Sequence, residues 1–283
     1  MKPVPFWLWL NVLGLDAPLI AVLWQNAFAV AFGISLQPPM RIGLFCAVWV
    51  IYLGDRLLDG MRLNITSSSA ARHQVAARYP FLIISLIIVA LGGVLYAALR
   101  VPPNLIIICL TIAISTGLYF LWNHAARGTF SRKYFKEFII CVIFLLGVLI
   151  APITQGASNY AAFFPAAALF FLLCLSNCAL ISRIERDIDI ARGEESYAIH
   201  FARDLKPARW ISAIVILITL VMIISKSLPL SLSSPLILSA IGLWSTVIIE
   251  RIFSSRFAVV WADLCLMSPV LLLGFHDLFH ITS

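Results

Sequence analysis

The sequence predicts an all-α membrane protein in which nine transmembrane helices form one bundle. Its composition lies far outside the range of soluble proteins, because 62% of the 283 residues are hydrophobic, 12% are charged and the mean hydropathy is +1.01. The apolar residues gather into nine runs, and a transmembrane helix needs roughly 20 such residues. Lysines and arginines are concentrated in every second connection between the runs. We therefore expect a single helical membrane domain over residues 1–283, with no appended soluble domain.

Each run is predicted to be one membrane span. Lys2 and two prolines precede the first run, with no small-residue cleavage site behind a short apolar core, so we expect this run to be retained. The connection 35–39 predicts a short external turn, and the polar stretch 60–79 predicts either a lid over a site or a solvated connector. The nine runs cover about 7–33, 41–58, 80–99, 104–122, 135–153, 161–182, 209–227, 229–249 and 257–276.

Positive charge predicts the orientation of the bundle. With nine spans, all 20 lysines and arginines except Arg41, Arg100 and Lys226 fall on the side of the N-terminus. Because Lys and Arg accumulate on the cytoplasmic side, the N-terminus is expected inside and the C-terminus outside. The net charge of +7 is then explained by topology and by contact with anionic lipid headgroups, and no nucleic acid is expected as a partner.

Polar and sulfur-containing residues also lie within the apolar runs. The first run contains Asn11, Asp16, Gln25 and Asn26, and Asp16 is either a helix-capping residue near the boundary or a cavity-facing carboxylate. We expect Asn26 to hydrogen-bond between helices and Gln25 to line a cavity. The six cysteines all lie within runs and form no CxxC pair, so they are expected to be packing thiols, without a disulfide or a zinc site.

Two acidic pairs follow apolar runs on the predicted cytoplasmic side. Asp55 and Asp59 are four residues apart, and Glu185 and Asp189 repeat this spacing, so each pair projects from one face of a helix. Like charges held so close at a membrane boundary favour a divalent cation between them. Asp187 points away from the face of the second pair and is expected to be a solvated charge. Two pairs that face each other predict a metal-bridged polyanion.

Basic side chains on the same side suit a phosphate-bearing ligand. The connection 123–136 contains His124, Lys133 and Lys136, and Arg56 and Arg186 stand beside the acidic pairs. Lys and Arg are the usual partners of phosphate oxygens, although they equally suit lipid headgroups.

These motifs resemble those of the UbiA-type intramembrane prenyltransferase superfamily. The first family motif, N-D-x-x-D-R-x-x-D, matches at Asp55, Arg56 and Asp59, while Ile51 and Tyr52 replace its opening Asn-Asp. The second motif, an aspartate pair followed by a glycine and a Ser or Thr, matches with Glu185 as its first member; the other matching positions are Asp189, Gly193 and Ser196.

The resemblance implies nine helices around a cavity open to the cytoplasmic side. It implies that the two acidic pairs bind Mg²⁺ and a prenyl diphosphate, so they are the expected catalytic and metal-binding residues. Tyr119 is similar in position to a family tyrosine that precedes two basic residues, where this chain has Asn123 and His124. The residues expected to contact the diphosphate are Arg56, Tyr119, His124, Lys133, Lys136 and Arg186.

The expected activity is magnesium-dependent transfer of a prenyl group from its diphosphate to a lipophilic acceptor of aromatic, quinone or lipid type. One alternative is a terpene cyclase of the same superfamily, in which the polyprenyl chain is captured by its own double bonds. A second alternative from another class is a membrane transporter that uses Asp16, Glu250 and Asp263 as embedded or boundary charges.

Overall fold

The structure, a computed structural model, describes residues 5–62, 71–125, 130–157, 159–192 and 206–271. Every regular element within these ranges is helical, beginning with a 3-10 turn at Phe6–Leu8. The α-helices are α1 (Trp9–Leu13), α2 (Asp16–Ala31), α3 (Pro38–Arg62), α4 (Ala71–Arg78), α5 (Pro80–Ala98), α6 (Pro103–Ala125), α7 (Phe130–Thr154), α8 (Tyr160–Arg192), α9 (Lys206–Ile224), α10 (Leu230–Ile252) and α11 (Ser255–Leu266).

Four helices in the described part of the chain are long and apolar enough to cross a membrane. They are α5, the Glu137–Thr154 part of α7, the Tyr160–Asp187 part of α8, and α10. A broken pair of helices at the start of the chain adds a fifth if the two together count as one span. The protein is therefore an integral membrane protein by helix length and composition, and the nine-span topology stays a prediction.

The first apolar run was predicted as one span, and in the structure it is divided into two helices by a sharp bend. The segments Phe6–Leu13 and Asp16–Ala31 meet at an angle of 79°. Gly14 ends α1 in the left-handed conformation at φ 67°, and the amide of Leu15 closes the turn on the carbonyl of Leu10 at 2.9 Å. This is the turn that glycine most readily permits after a helix.

Residues 71–78 of the stretch predicted as a lid or connector form helix α4. Two small apolar contacts attach it to the bundle. Val75 packs with Leu8, Val12 and Val260, while Ala76 packs with residues of α3 and α5. This helix was not predicted, because two buried positions are too few to make a periodic pattern.

Four aromatic side chains fill the interior where α2 crosses α8. We call Trp24, Phe28, Phe163 and Phe170 the aromatic cluster, and all four are fully buried. The rings of Trp24 and Phe170 stack with centroids 4.3 Å apart, and those of Phe28 and Phe163 lie 5.4 Å apart. Since later residues of α8 meet earlier residues of α2, the two helices run antiparallel.

Helices α3 and α8 end at the same end of the bundle, which we call the charged end. Arg56, near the end of α3, contacts the residues just before α2, and α8 runs from the aromatic cluster toward that same end. Within the described ranges, α3 packs mainly on α2 and α5, and α8 packs mainly on α7, α9 and α11. The two helices with acidic pairs thus reach the charged end with different neighbours.

Lipid is the expected neighbour of several helices. Large apolar side chains are exposed along α5, α6 and α9, including Ile88, Val89, Ile107, Leu217 and Val221. In a membrane protein, apolar exposure of this extent is typical of a surface that contacts lipid.

Candidate functional site

The charged end brings both acidic segments to the same part of the molecule. Asp55 is exposed near the end of α3, and Glu185 is half-buried near the end of α8. Positions 59 and 189 lie on these same helices, but the side chains of Asp59 and Asp189 lie outside the described residues. The side chain of Asp187 is 96% exposed, as its register on α8 requires.

The residues predicted to contact a diphosphate are described only in part. Tyr119 is half-buried on α6, and the guanidinium of Arg186 lies 3.8 Å from the carboxylate of Asp187. The side chains of His124, Lys133 and Lys136 lie outside the described residues, although their positions fall on α6 and α7, which pack against each other. A role for these residues in binding phosphate stays a prediction.

Arg56 has a structural position that its motif did not indicate. Its side chain is only 5% exposed, and its guanidinium donates to the main-chain oxygens of Asn11 and of Val12, the latter at 2.9 Å. Trp49, seven residues earlier on α3, donates to the oxygen of Leu13 at 2.9 Å. Side chains on one side of α3 therefore donate hydrogen bonds to the last carbonyls of α1, which have no partner within their own helix.

An interior group of polar side chains lies next to this anchor. We call Asn11, Asp16, Tyr52, Asn177 and Asp263 the polar cluster. Asn11 donates from Nδ2 to Oδ2 of Asp16 at 2.8 Å, and the amide of Ala17 donates to Oδ1 of Asp16 at 3.0 Å. Across the bundle, Asn177 on α8 donates from Nδ2 to Oδ1 of Asp263 on α11 at 3.1 Å.

Tyr52 connects the two halves of the polar cluster. It lies within electrostatic range of Asp16, Asp263, Arg56 and Cys178. Glu185 follows Cys178 by seven residues, and position 59 follows Tyr52 by seven, so each later residue falls on nearly the same side of its helix. The sides of α3 and α8 that meet at Tyr52 and Cys178 therefore continue toward the two acidic pairs.

Sequence reasoning found this cluster only in part. Asn11 and Asp16 were visible as polar residues in an apolar run, and Asp263 entered only as a charge for a transporter. Tyr52 counted as a departure from a motif, and Asn177 was missed. The available signal for Asn177 was an amide in the middle of a long apolar run, where lipid contact is unfavourable.

The oxygen ligands at the charged end are chemically suited to Mg²⁺. The described residues contain no group of three or more His, Cys, Asp or Glu side chains that could hold a metal ion. Magnesium does not need such a group, because it is usually held by one or two carboxylates together with phosphate oxygens of the substrate and water. The carboxylates of Asp55 and Glu185 fit that requirement.

The cysteines are free thiols in the structure. The thiols of Cys141 on α7 and Cys178 on α8 are 3.6 Å apart, between two closely packed helices. Their contact contributes to the packing of these helices.

The fold matches that of a solved membrane protein. The chain is similar to the apo structure of a UbiA homolog from Aeropyrum pernix K1, with a TM-score of 0.59 and 12% sequence identity, and the match covers 91% of this chain and 98% of that one. No protein-family model matches the sequence, and no curated protein matches it. The chain therefore shares the fold of a UbiA homolog, as the UbiA-type resemblance of the sequence implied.

Proposed function

We propose, from the UbiA-type fold, that the chain transfers a prenyl group from a prenyl diphosphate to a lipophilic acceptor in the membrane. The observation that carries this proposal is the placement of the two acidic segments. In a fold shared with a UbiA homolog, both motif-bearing helices end at one end of the bundle. We further propose that this charged end lies on the cytoplasmic side, as the distribution of basic residues predicts.

In this proposal the acidic pairs bind the diphosphate through Mg²⁺. Asp55 and Asp59 hold one side of the substrate from α3, and Glu185 and Asp189 hold the other from α8. Bound Mg²⁺ would neutralise the charge that develops on the leaving diphosphate. Arg186 and the basic residues of α6 and α7 would bind the remaining phosphate oxygens.

The interior of the bundle would accommodate the prenyl chain. The fully buried rings of the aromatic cluster lie beyond the polar cluster and give this part of the interior an apolar lining. Aromatic faces also stabilise positive charge, so rings near an ionising allylic carbon would favour its reaction. Both substrates would enter the bundle laterally from the membrane, because each has a long apolar part.

Purified protein in detergent tests the reaction class directly. Radiolabelled prenyl diphosphates of several chain lengths are mixed with a panel of lipophilic acceptors, with and without Mg²⁺, and diphosphate release is measured. We expect release only with Mg²⁺ and acceptor. Absence of both release and binding for every prenyl diphosphate would refute the proposal.

A matched set of variants tests the site. Asp55→Asn and Glu185→Gln are each expected to weaken magnesium-dependent substrate binding by about a hundredfold, because each removes a charged ligand that would hold the magnesium–diphosphate complex. Asp187→Asn is the control, since its side chain is 96% exposed and its pairing with Arg186 is a surface ion pair. Equal losses at Asp187 and Glu185 in folded protein would mean that the segment acts only through bulk charge.

Product analysis separates the alternatives. A cyclic hydrocarbon formed without any acceptor would identify a cyclase. Solute flux across proteoliposomes driven by a proton or sodium gradient would instead favour a transporter.

A further inference from the structure

Helix α1 lies nearly perpendicular to the helices that span the membrane. The segment Phe6–Leu13 meets α2 at 79°, and α2 runs antiparallel to α8, which is long and apolar enough to cross a bilayer. The depth of α1 is given by Val75 of α4, which packs on Leu8 and Val12 about one helical turn before the spanning helix α5 begins. Helix α1 therefore lies along the membrane surface, level with the point where α5 enters the bilayer.

Both sides of α1 are apolar, although the helix lies at the charged end. Leu8 and Val12 face the bundle and are buried, whereas Phe6 is 92% exposed, Trp9 42% and Leu10 39%. Residues 5–15 include no charged side chain. An exposed aromatic face of this kind is unfavourable in water, and it is typical of a helix in the interfacial layer of a bilayer, where tryptophan is enriched.

The connection between α10 and α11 extends this exposed face. The ring of Trp7 contacts that of Phe257, with centroids 5.4 Å apart, and the ring of Phe257 contacts that of Phe253 at 5.1 Å. Phe253 and its neighbour Ile252 are 63% and 66% exposed. Apolar side chains thus form one surface from α1 to the α10–α11 connection.

Two exposed arginines stand beside these rings. Arg251 precedes Phe253 by two residues, and Arg256 precedes Phe257 by one. In the part of the chain that the structure describes, neither guanidinium has a hydrogen-bond or ion-pair partner. The neighbouring carboxylate of Glu250 is partly buried and balances at most one of the two charges. Positive charge next to apolar rings complements a lipid with an anionic headgroup, because phosphate oxygens pair with arginine and acyl chains contact the rings.

We propose that this surface binds an anionic phospholipid of the leaflet at the charged end. Arg251 and Arg256 bind the phosphate, and the aromatic side chains lie among the upper parts of the acyl chains. This binding is independent of the prenyl transfer proposed above. We call the set the interfacial surface, and its members are Phe6, Trp7, Trp9, Arg251, Phe253 and Arg256.

A lipid bound at the interfacial surface stabilises more than α1. Trp49 on α3 donates to the oxygen of Leu13, and Arg56 donates to the oxygen of Val12. Helix α1 and the helix with the first acidic pair are therefore held together, and a lipid that binds only the folded surface raises the unfolding midpoint of the chain by mass action.

Thermal unfolding of the purified full-length chain tests the preference for anionic lipid. The protein is kept in detergent micelles that contain either phosphatidylglycerol or phosphatidylcholine. Phosphatidylglycerol is expected to raise the midpoint by about 3–5 °C more than phosphatidylcholine does, and high salt should reduce this difference because it screens the charges. Equal midpoints in the two lipids would overturn the proposal with no variant needed.

Two double variants test the assigned arginines. Arg251→Gln combined with Arg256→Gln should abolish the difference between the two lipids. The matched control is Arg100→Gln combined with Lys226→Gln, which removes the same charge from exposed positions just after the opposite ends of α5 and α9 and should retain the difference. Comparing the two lipids within each variant cancels any direct effect on stability. A difference that survives in the first double variant, or that is lost equally in both, would overturn the assignment of the site.

Tryptophan fluorescence tests the position of α1 in the bilayer. The signal of Trp7 and Trp9 is obtained as the difference between the wild type and the Trp7→Phe/Trp9→Phe protein in nanodiscs that contain brominated phosphatidylcholine. Bromine near the headgroup end of the acyl chain should quench this signal more than bromine near the methyl end. Quenching by neither lipid would place the rings in water or against a second copy of the chain and would overturn the proposal. Stronger quenching by the deeper bromine would do the same, because it would place α1 within the hydrocarbon core.

Discussion

Replacing Arg56 by methionine tests whether this motif residue is primarily an anchor for the first helix. The change keeps a long side chain and removes two charge-assisted hydrogen bonds to the oxygens of Asn11 and Val12. The amide of Gly14 also donates to the oxygen of Asn11, so one of the two acceptors keeps a partner and the oxygen of Val12 loses its donor.

The expected cost follows from these contacts. Hydrogen bonds to a charged group contribute about 1.5–3 kcal/mol each, while interhelical hydrogen bonds in membrane proteins average nearer 0.6 kcal/mol. We expect about 2–3 kcal/mol for Arg56→Met, which corresponds to a fall in the unfolding midpoint of about 5–10 °C for a chain of this size. Trp49→Phe, which loses one neutral bond to Leu13, should cost about 1 kcal/mol.

Thermal unfolding in detergent, followed by the fluorescence of a thiol-reactive dye, measures these midpoints. Arg56→Lys is the control for charge, because a lysine keeps the positive charge but lacks the planar fork that reaches two oxygens at once. It should fall between the wild type and Arg56→Met. An unchanged midpoint in Arg56→Met, together with loss of prenyl diphosphate binding, would refute the anchor and identify Arg56 as a phosphate ligand.

Two further changes probe the packing of the bundle. Trp24→Ala removes a fully buried ring whose N–H is hydrogen-bonded and should cost about 3–5 kcal/mol of stability in the same assay. Phe81→Ala, at an 82% exposed position, is the control and should have little effect. Equal losses of stability in the two variants would contradict the assignment of the core. Gly93→Ala should destabilise the contact of α5 with α3, because the added Cβ would overlap the thiol of Cys46. Adding Cys46→Ala to Gly93→Ala should remove this overlap. Gly92→Ala is the control, because its methyl group would enter open space. Similar midpoints for the Gly92 and Gly93 variants would mean that α5 lies differently on α3.

The sequence predicted those features that depend on the length and ends of apolar runs. The apolar runs predicted the starts of α3, α5 and α6 to within three residues, and prolines at positions 38, 80 and 103 stand at the observed starts, where proline costs no hydrogen bond. The positions of the acidic pairs near helix ends followed from the same reasoning. The all-helical membrane fold needed nothing beyond composition and run length.

Contacts between distant residues were beyond sequence reasoning. Asn177 and Asp263 are 86 residues apart and meet because of how α8 and α11 are rotated and packed. A helix that is apolar on every side has no periodic pattern to indicate which side is buried. The Arg56 anchor was hidden for a related reason, since its acceptors are main-chain oxygens whose exposure depends on the break at Gly14.

The burial of the aromatic cluster has an electrical consequence. A membrane potential falls across material that excludes water and ions, normally the roughly 30 Å of hydrocarbon. Water that enters the proposed cavity from the charged end as far as the polar cluster would confine most of that voltage to the thinner layer beyond it. The aromatic cluster would then limit proton leakage across the membrane. This requirement comes from the energy supply of the cell and is separate from the reaction proposed at the charged end.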